Sequence, residues 1–180
     1  MVTTANKQDR VLTGLFPDRD SAERAYQGVL DRGYSRDDVN LVMSEDTRNR
    51  HFRHTQQGER ETELGNKATE GAGIGAGIGG TLGAIAAAIA AVGSTLALPG
   101  LGLVIAGPLA AALAGAGAGG AAGGLLGALI GSGIPEERVK KYEAGIQQGG
   151  ILMGLKPRND DDASHLENHW RDARGKEIYR

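Results

Sequence analysis

The sequence contains no cysteine. Disulfides, Cys-ligated zinc, iron–sulfur clusters and thiol catalysis are therefore excluded, and the absence fits a reducing compartment. Aromatic residues are scarce, at 4%. Net charge is close to zero, with 20 Lys+Arg against 22 Asp+Glu and a formal value of −2. Nothing in that balance supplies the basic surface that phosphate neutralisation needs, so no nucleic-acid partner is expected. The opening MVTTANKQDR is polar and lacks the apolar core of a secretory signal, so a cytoplasmic chain is expected. The largest absence is internal. From Gly71 to Pro135 there is no Asp, Glu, Lys, Arg, His, Asn or Gln.

What fills that gap is glycine and alanine. Of the 30 glycines, 20 lie within residues 71–133. In the first half Gly71, Gly75, Gly79 and Gly83 recur every fourth position, and Gly115, Gly119, Gly123, Gly127 and Gly131 repeat the device in the second. Glycine within a helix costs about 1 kcal/mol relative to alanine, so a helix with this many must gain from close approach. Small residues at four-residue spacing make a smooth groove, in which backbones meet through dispersion and weak Cα–H···O contacts. These nine glycines are the candidate helix-packing and oligomerisation residues. Leu98-Pro99-Gly100 reads as the turn of a helical hairpin, and Pro108 suits a helix start. Each half would be long enough to span a bilayer core of about 30 Å, with both ends on one side. Against an ordinary two-pass membrane protein stand the missing Trp or Tyr belt and the mixed charges of the flanks.

The flanking sequence has conventional periodicity. Residues 10–16 (RVLTGLF) read as a strand ended by Pro17. Asp18 or Asp20 caps the following helix, and Asp20 with Glu23 has capping-box spacing. Ala22, Ala25, Tyr26, Val29 and Leu30 form its apolar face, and Gly33 suits its C-terminal left-handed position. Residues 39–44 (VNLVMS) read as a second strand, and 45–70 as a polar linker with helical character only near its end. Pro135-Glu136-Glu137 opens a helix that runs to about Gln148. Residues 151–156 are a third strand, Asp160–Arg174 an amphipathic helix with Ala163, Leu166, Trp170 and Ala173 on one side, and Lys176–Tyr179 a closing edge strand. The expected organisation is a disordered N-terminus (1–9), a first βαβ half (10–45), a linker (46–70), a Gly/Ala-rich helical hairpin (71–133), and a helix with a second βαβ half (134–180). This is an α+β chain with a ferredoxin-like split βαβ domain and a long insert between its halves. Such a small core would gain from another subunit covering its open sheet face.

Motifs that carry chemistry are weak. Gly75, Gly77 and Gly80 spell G-x-G-x-x-G, but the polar NKATE precedes them and no acid follows at the right distance, so the match belongs to the glycine run. His51 and His54 lie in HFRH, and His165 and His169 in HLENH. The second pair shares a helix face, but it lacks the glutamate beside the first histidine that the zinc-protease motif requires, and solvated histidines are the better reading. Asp160-Asp161-Asp162 sits at a helix start, where acids favour the dipole. Ser21, Ser35, Ser44, Ser94, Ser132 and Ser164 stand in no nucleophile-elbow context. No catalytic, cofactor or metal residues are assigned.

Two stretches also carry a resemblance. VLTGLFPDRDSAERAYQGVLDRGYSRDDVNLVMSED resembles the opening βαβ unit of the bacterial general stress protein 17M-like and low-temperature-induced proteins. The PGLG turn, AGPLAAAL and the GIPEE…YEAG…GG run resemble their glycine-zipper insert and the strand after it. The likeness covers roughly residues 10–157. It implies a stress-induced, non-catalytic protein and no site residues. The expectation is a stress-response protein that self-assembles through glycine-zipper helices, cytoplasmic and associated with inner-membrane lipid. The alternative is a soluble oligomeric regulatory or ligand-binding module with the α/β domain as sensor.

Overall fold

The computed structural model describes residues 11–52, 85, 95–98 (backbone only), 102–110, 129 and 134–180. These form an α+β structure around one antiparallel sheet. In chain order the elements are β1 (Leu12–Phe16), α1 (Arg19–Asp31), a short 3₁₀ turn, β2 (Val39–Ser44), α2 (Glu45–Phe52), β3 (Thr95–Leu98), β4 (Leu103–Ala106), α3 (Glu136–Gln147), β5 (Ile151–Leu155), α4 (Asp160–Asp172) and β6 (Lys176–Tyr179). The strand order is β3-β4-β2-β5-β1-β6. β5 lies between β1 and β2 and is antiparallel to both, with Phe16 opposite Ile151 and Met43 opposite Ile151 on its other side.

Local chemistry sets the helix limits. Asp18 takes an extended backbone and accepts the Ser21 N–H at 2.8 Å, so it, and not Asp20, is the N-cap of α1. Glu23 therefore lies two residues too deep for the capping box expected with Asp20, and it has a different partner. Asn159 caps α4 in the same way, accepting from the Asp162 N–H at 2.7 Å. At the other end of α1, Gly33 adopts φ +83 and its N–H returns to the Leu30 carbonyl, a left-handed C-terminal closure as expected.

Strand alternation divides the core into two layers. Leu12, Phe16, Leu41, Met43, Ile151 and Met153 face α1 and α4. Leu15, Val42, Ile105 and Leu152 face α3. The sheet face expected to be open is thus covered within the chain. α3 supplies Val139, Tyr142 and Ile146, and Ala110, Leu129 and Ile134 extend the cover.

Two further expectations are corrected. Residues 95–98 and 103–106, read as the apex of a helical hairpin, are strands. TLAL and LVIA are glycine-free islands of β-compatible residues, and β2 offers an unpaired edge. β4 takes that edge in register, Leu41 opposite Ala106 and Ser44 opposite Leu103, and β3 adds outside it. Of the turn expected at 98–100, Leu98 ends β3 and the other two positions lie outside the described residues; Gly102 (φ +61) precedes β4. Pro108 does begin a helical turn (108–110), whose Leu109 N–H is capped by Asn40 Oδ1 at 2.6 Å. Second, the linker read as 46–70 begins as helix: α2 runs directly from β2, with Thr47 and Phe52 buried. Ser44 Oγ accepts the Thr47 N–H at 3.1 Å, a cap that starts this helix on the last residue of the strand. The N-terminus 1–9 and all nine candidate packing glycines (Gly71, Gly75, Gly79, Gly83, Gly115, Gly119, Gly123, Gly127 and Gly131) lie outside the described residues.

Candidate functional site

Three features stand out once the core is accounted for. The first is where the Gly/Ala block meets the domain. Ile85, from its first half, is fully buried in the layer formed by Ala22, Ala25 and Tyr26 of α1. Leu129, from its second half, is buried on the opposite layer. The block is therefore seated on both faces of the sheet and contributes two strands between those points.

The second is Glu23. It is only 3% exposed, a rare state for a carboxylate. Oε2 accepts the Ile85 backbone N–H at 3.2 Å, while Oε1 has no hydrogen-bond partner among the described residues and lies 3.7 Å from Arg19 Nε, its ion-pair partner. Loss of water around it pushes the carboxyl above its ordinary range, and the Ile85 N–H and the Arg19 charge offset this only in part. Arg19 itself ties α1 to α2, donating to the His51 carbonyl at 2.9 Å and lying over the Phe52 ring at 5.2 Å. One turn on, burial pushes the Tyr26 hydroxyl up to about 12.

The third is a groove of about 490 Å³ on the outer side of α1, lined among the described residues by Asp20, Glu23, Arg24, Gln27, Gly28, Asp31 and His169. Its size is that of a small-molecule site. Helical spacing places 20, 24, 27, 28 and 31 on one side of α1, and α4 contributes His169. The two helices approach closely at Gly28, where a Cβ would sit 2.1 Å from His169 Nε2. His169 Nε2 lies 3.0 Å from the Arg24 carbonyl. A carbonyl only accepts, so Nε2 carries the proton and donates; in the neutral ring Nδ1 then bears the lone pair.

At the far end of the same helix pair, Asp162 accepts from Arg32 Nε at 2.7 Å and from Tyr34 Oη–H at 2.9 Å. The Arg32 hydrogen bond holds its carboxyl below the usual range, helped by Tyr34 against desolvation. Of the aspartate triplet, only Asp162 makes this buried cross-helix contact. Asp160 pairs with Arg180 at 3.1 Å.

The histidine readings separate here. His165 is exposed, His169 packs on α1, His51 is exposed, and His54 lies outside the described residues. Among the described residues no group of three or more His, Asp or Glu is placed to hold a metal ion. Gly75, Gly77 and Gly80 are outside them, as are Ser94 and Ser132. Ser21, Ser35 and Ser44 serve caps and turns, and Ser164 Oγ bonds the Asp160 carbonyl within α4. Sequence reasoning missed Glu23 as anything but a cap. The one available signal was its place at the border of the apolar stripe, four residues after Arg19 and three before Tyr26. Its one backbone donor, Ile85, is distant in sequence. Among the described residues no helix is long and apolar enough to cross a membrane. Comparison with family models, with curated proteins and with solved structures returns no match.

Proposed function

We propose that this chain is a non-catalytic stress-response protein that self-assembles through its Gly/Ala stretches at or in a membrane. The α/β domain is the platform that holds those stretches. The observation that carries this reading is the double anchorage of the block: Ile85 in one core layer, Leu129 in the other, and β3 and β4 within the sheet. A segment held at these points ties the Gly/Ala stretches to the domain. The fourfold glycine spacing gives those stretches a reason to meet their like in another copy. The platform is read as a ferredoxin-like split βαβ core, supported by the order β2-β5-β1-β6 and by α1 and α4 sharing one face. The stress-response assignment rests on the resemblance to the general stress protein 17M-like family.

The test is fractionation of untagged protein after lysis without detergent, with a carbonate wash of the membranes and light scattering on the supernatant. Assembly is expected in one fraction or both, and Gly119→Leu with Gly123→Leu is expected to abolish it. A wild-type monomer in the supernatant, or a doubly substituted chain that assembles unchanged, overturns the reading. Retention in washed membranes places the assembly in lipid. A uniform soluble particle removes the membrane and leaves self-assembly standing.

A second reading, a regulatory ligand-binding module, is favoured by one specific observation: a groove of small-molecule size flanked by a buried, under-compensated carboxylate.

A further inference from the structure

We propose that the α1–α4 groove is a binding site for a small organic cation bearing an amine, with the Glu23 carboxylate as its anchor. An ionised carboxylate offers about four acceptor positions. Glu23 fills one with a strong donor, the Ile85 N–H. Among the described residues its Oε1 accepts no hydrogen bond, and its ion-pair partner, Arg19 Nε, stands at 3.7 Å, beyond hydrogen-bond reach. A charge held out of water with so little compensation costs stability, and folding retains it at a place that lines an open cavity.

The rest of the lining fits the same ligand. Asp20 and Asp31 are exposed on the groove and add negative potential that draws a cation in. The lone arginine of the lining, Arg24, is turned to Ser21 Oγ at 3.3 Å. His169 commits its Nε2 proton to the Arg24 carbonyl, which leaves Nδ1 as its ring position toward the ligand. Gly28 permits this arrangement, because any side chain there would displace the imidazole. The chemistry thus selects a donor-rich, positively charged molecule of a few heavy atoms over an anion or a neutral polyol.

The site is independent of self-assembly. The test uses the full chain and putrescine as probe, with the uncharged diol of the same length as control, in isothermal titration, and light scattering on the same samples. Saturable single-site binding of putrescine is expected, and none of the diol. Glu23→Gln is isosteric, leaves the Ile85 contact an acceptor, and is expected to weaken binding about tenfold or more, the size of one charged hydrogen bond. Its denaturation midpoint shows that it is folded. Gly28→Ala, which moves His169, is expected to weaken binding by a smaller factor. Absence of saturable putrescine binding by the wild-type chain, equal binding of the diol, or unchanged affinity in a folded Glu23→Gln variant overturns the proposal. Failure of binding with assembly intact rejects this site and leaves the assembly reading untouched.

Discussion

On one face of the sheet Phe16 shares a layer with Tyr26 of α1 and Trp170 of α4, whereas the other face carries Leu15, Val42 and Leu152 beneath α3 and residues of the Gly/Ala block. The first layer is built from two capped amphipathic helices and large aromatics, and Phe16 meets Trp170 edge-to-face at 5.6 Å. The second depends on closeness. α3 lies so near the sheet that a Cβ at Gly145 would stand 2.1 Å from the Leu15 Cδ2 methyl. Its polar contacts sit at the margin, where Tyr142 Oη–H donates to the Glu177 carbonyl at 2.8 Å and accepts from Thr13 Oγ1 at 2.9 Å. Lys141 also meets the Glu177 carboxylate at 3.1 Å. The contrast teaches that the first layer draws on the Phe16–Trp170 aromatic pair, whereas the second brings a helix backbone against a strand side chain at Gly145. Substitutions should therefore act with opposite sign of volume: truncation should hurt the first layer and enlargement the second.

The largest effect is expected from truncation in the aromatic layer. Trp170→Ala removes a fully buried indole and its contact with Phe16 and should cost about 3–5 kcal/mol, measured by urea unfolding. A cost below 1 kcal/mol would mean that the layer collapses around the gap and that the two faces do not differ as described. Enlargement in the thin layer comes next. Gly145→Ala should cost about 1–3 kcal/mol, because Leu15 has to leave its place beneath α3. An alanine that is neutral or stabilising there, as ordinary helix propensity alone would have it, breaks the comparison.

The first layer was legible in the sequence because its cause is local. Ala22, Ala25, Tyr26 and Val29 recur with helical period, and Ala163, Leu166 and Trp170 do the same. Gly33 and the strands at 12–16, 39–44 and 151–155 follow from short-range rules. The second layer was not legible, for physical reasons that can be named. Within a run of glycine and alanine, periodicity carries no facing information, so TLAL and LVIA were absorbed into a helical reading. Their strand state depends on an open edge at β2, which is more than fifty residues away in the chain. α2 was hidden similarly: EDTRNRHF is polar throughout, and only Thr47 and Phe52 touch the core. Of the candidate site, His169 reads in the sequence as solvated beside His165, whereas its partner is a main-chain carbonyl on another helix. Glu23 is buried, and its one backbone donor is Ile85, far away in the sequence.

Smaller effects test the two carboxylates that bracket the α1–α4 pair, and their pH dependences should run in opposite directions. The carboxyl of Asp162 is depressed in the folded chain, so its stabilisation is present above its ordinary value near 3.8 and is lost as pH falls through the lowered one. Asp162→Asn should cost about 1 kcal/mol at neutral pH. That is a low figure for a charged hydrogen bond, because the Arg32 side chain is 40% exposed and screened by water. The loss should shrink toward strongly acidic pH, where the wild-type group is itself protonated. An unchanged loss at acidic pH would show that the neutral hydrogen bond to Tyr34 matters more than the ion pair.

Glu23 should give the smallest change in stability and the most telling sign. Its folded carboxyl is raised above the ordinary value of 4.5 by burial, so the folded chain binds its proton more tightly than the unfolded chain does. Stability from this group is complete below that ordinary value and is lost as pH rises through the raised one. Above that window the chain carries an ionised carboxylate whose desolvation the Ile85 N–H and Arg19 offset only in part. Glu23→Gln keeps an acceptor for Ile85 and removes the charge. It should unfold at the same urea concentration as wild type, or a higher one, near pH 7, and the decline between acidic and neutral pH should flatten. Added putrescine should narrow the gap at neutral pH by stabilising only the wild-type chain, since a ligand raises the midpoint of the form it binds. If Glu23→Gln instead destabilises the chain at pH 7 and steepens the decline, the Arg19 ion pair at 3.7 Å outweighs desolvation. The carboxylate would then be a structural pair that closes α1 on α2, and the groove beside it would have no under-compensated charge to offer a cation.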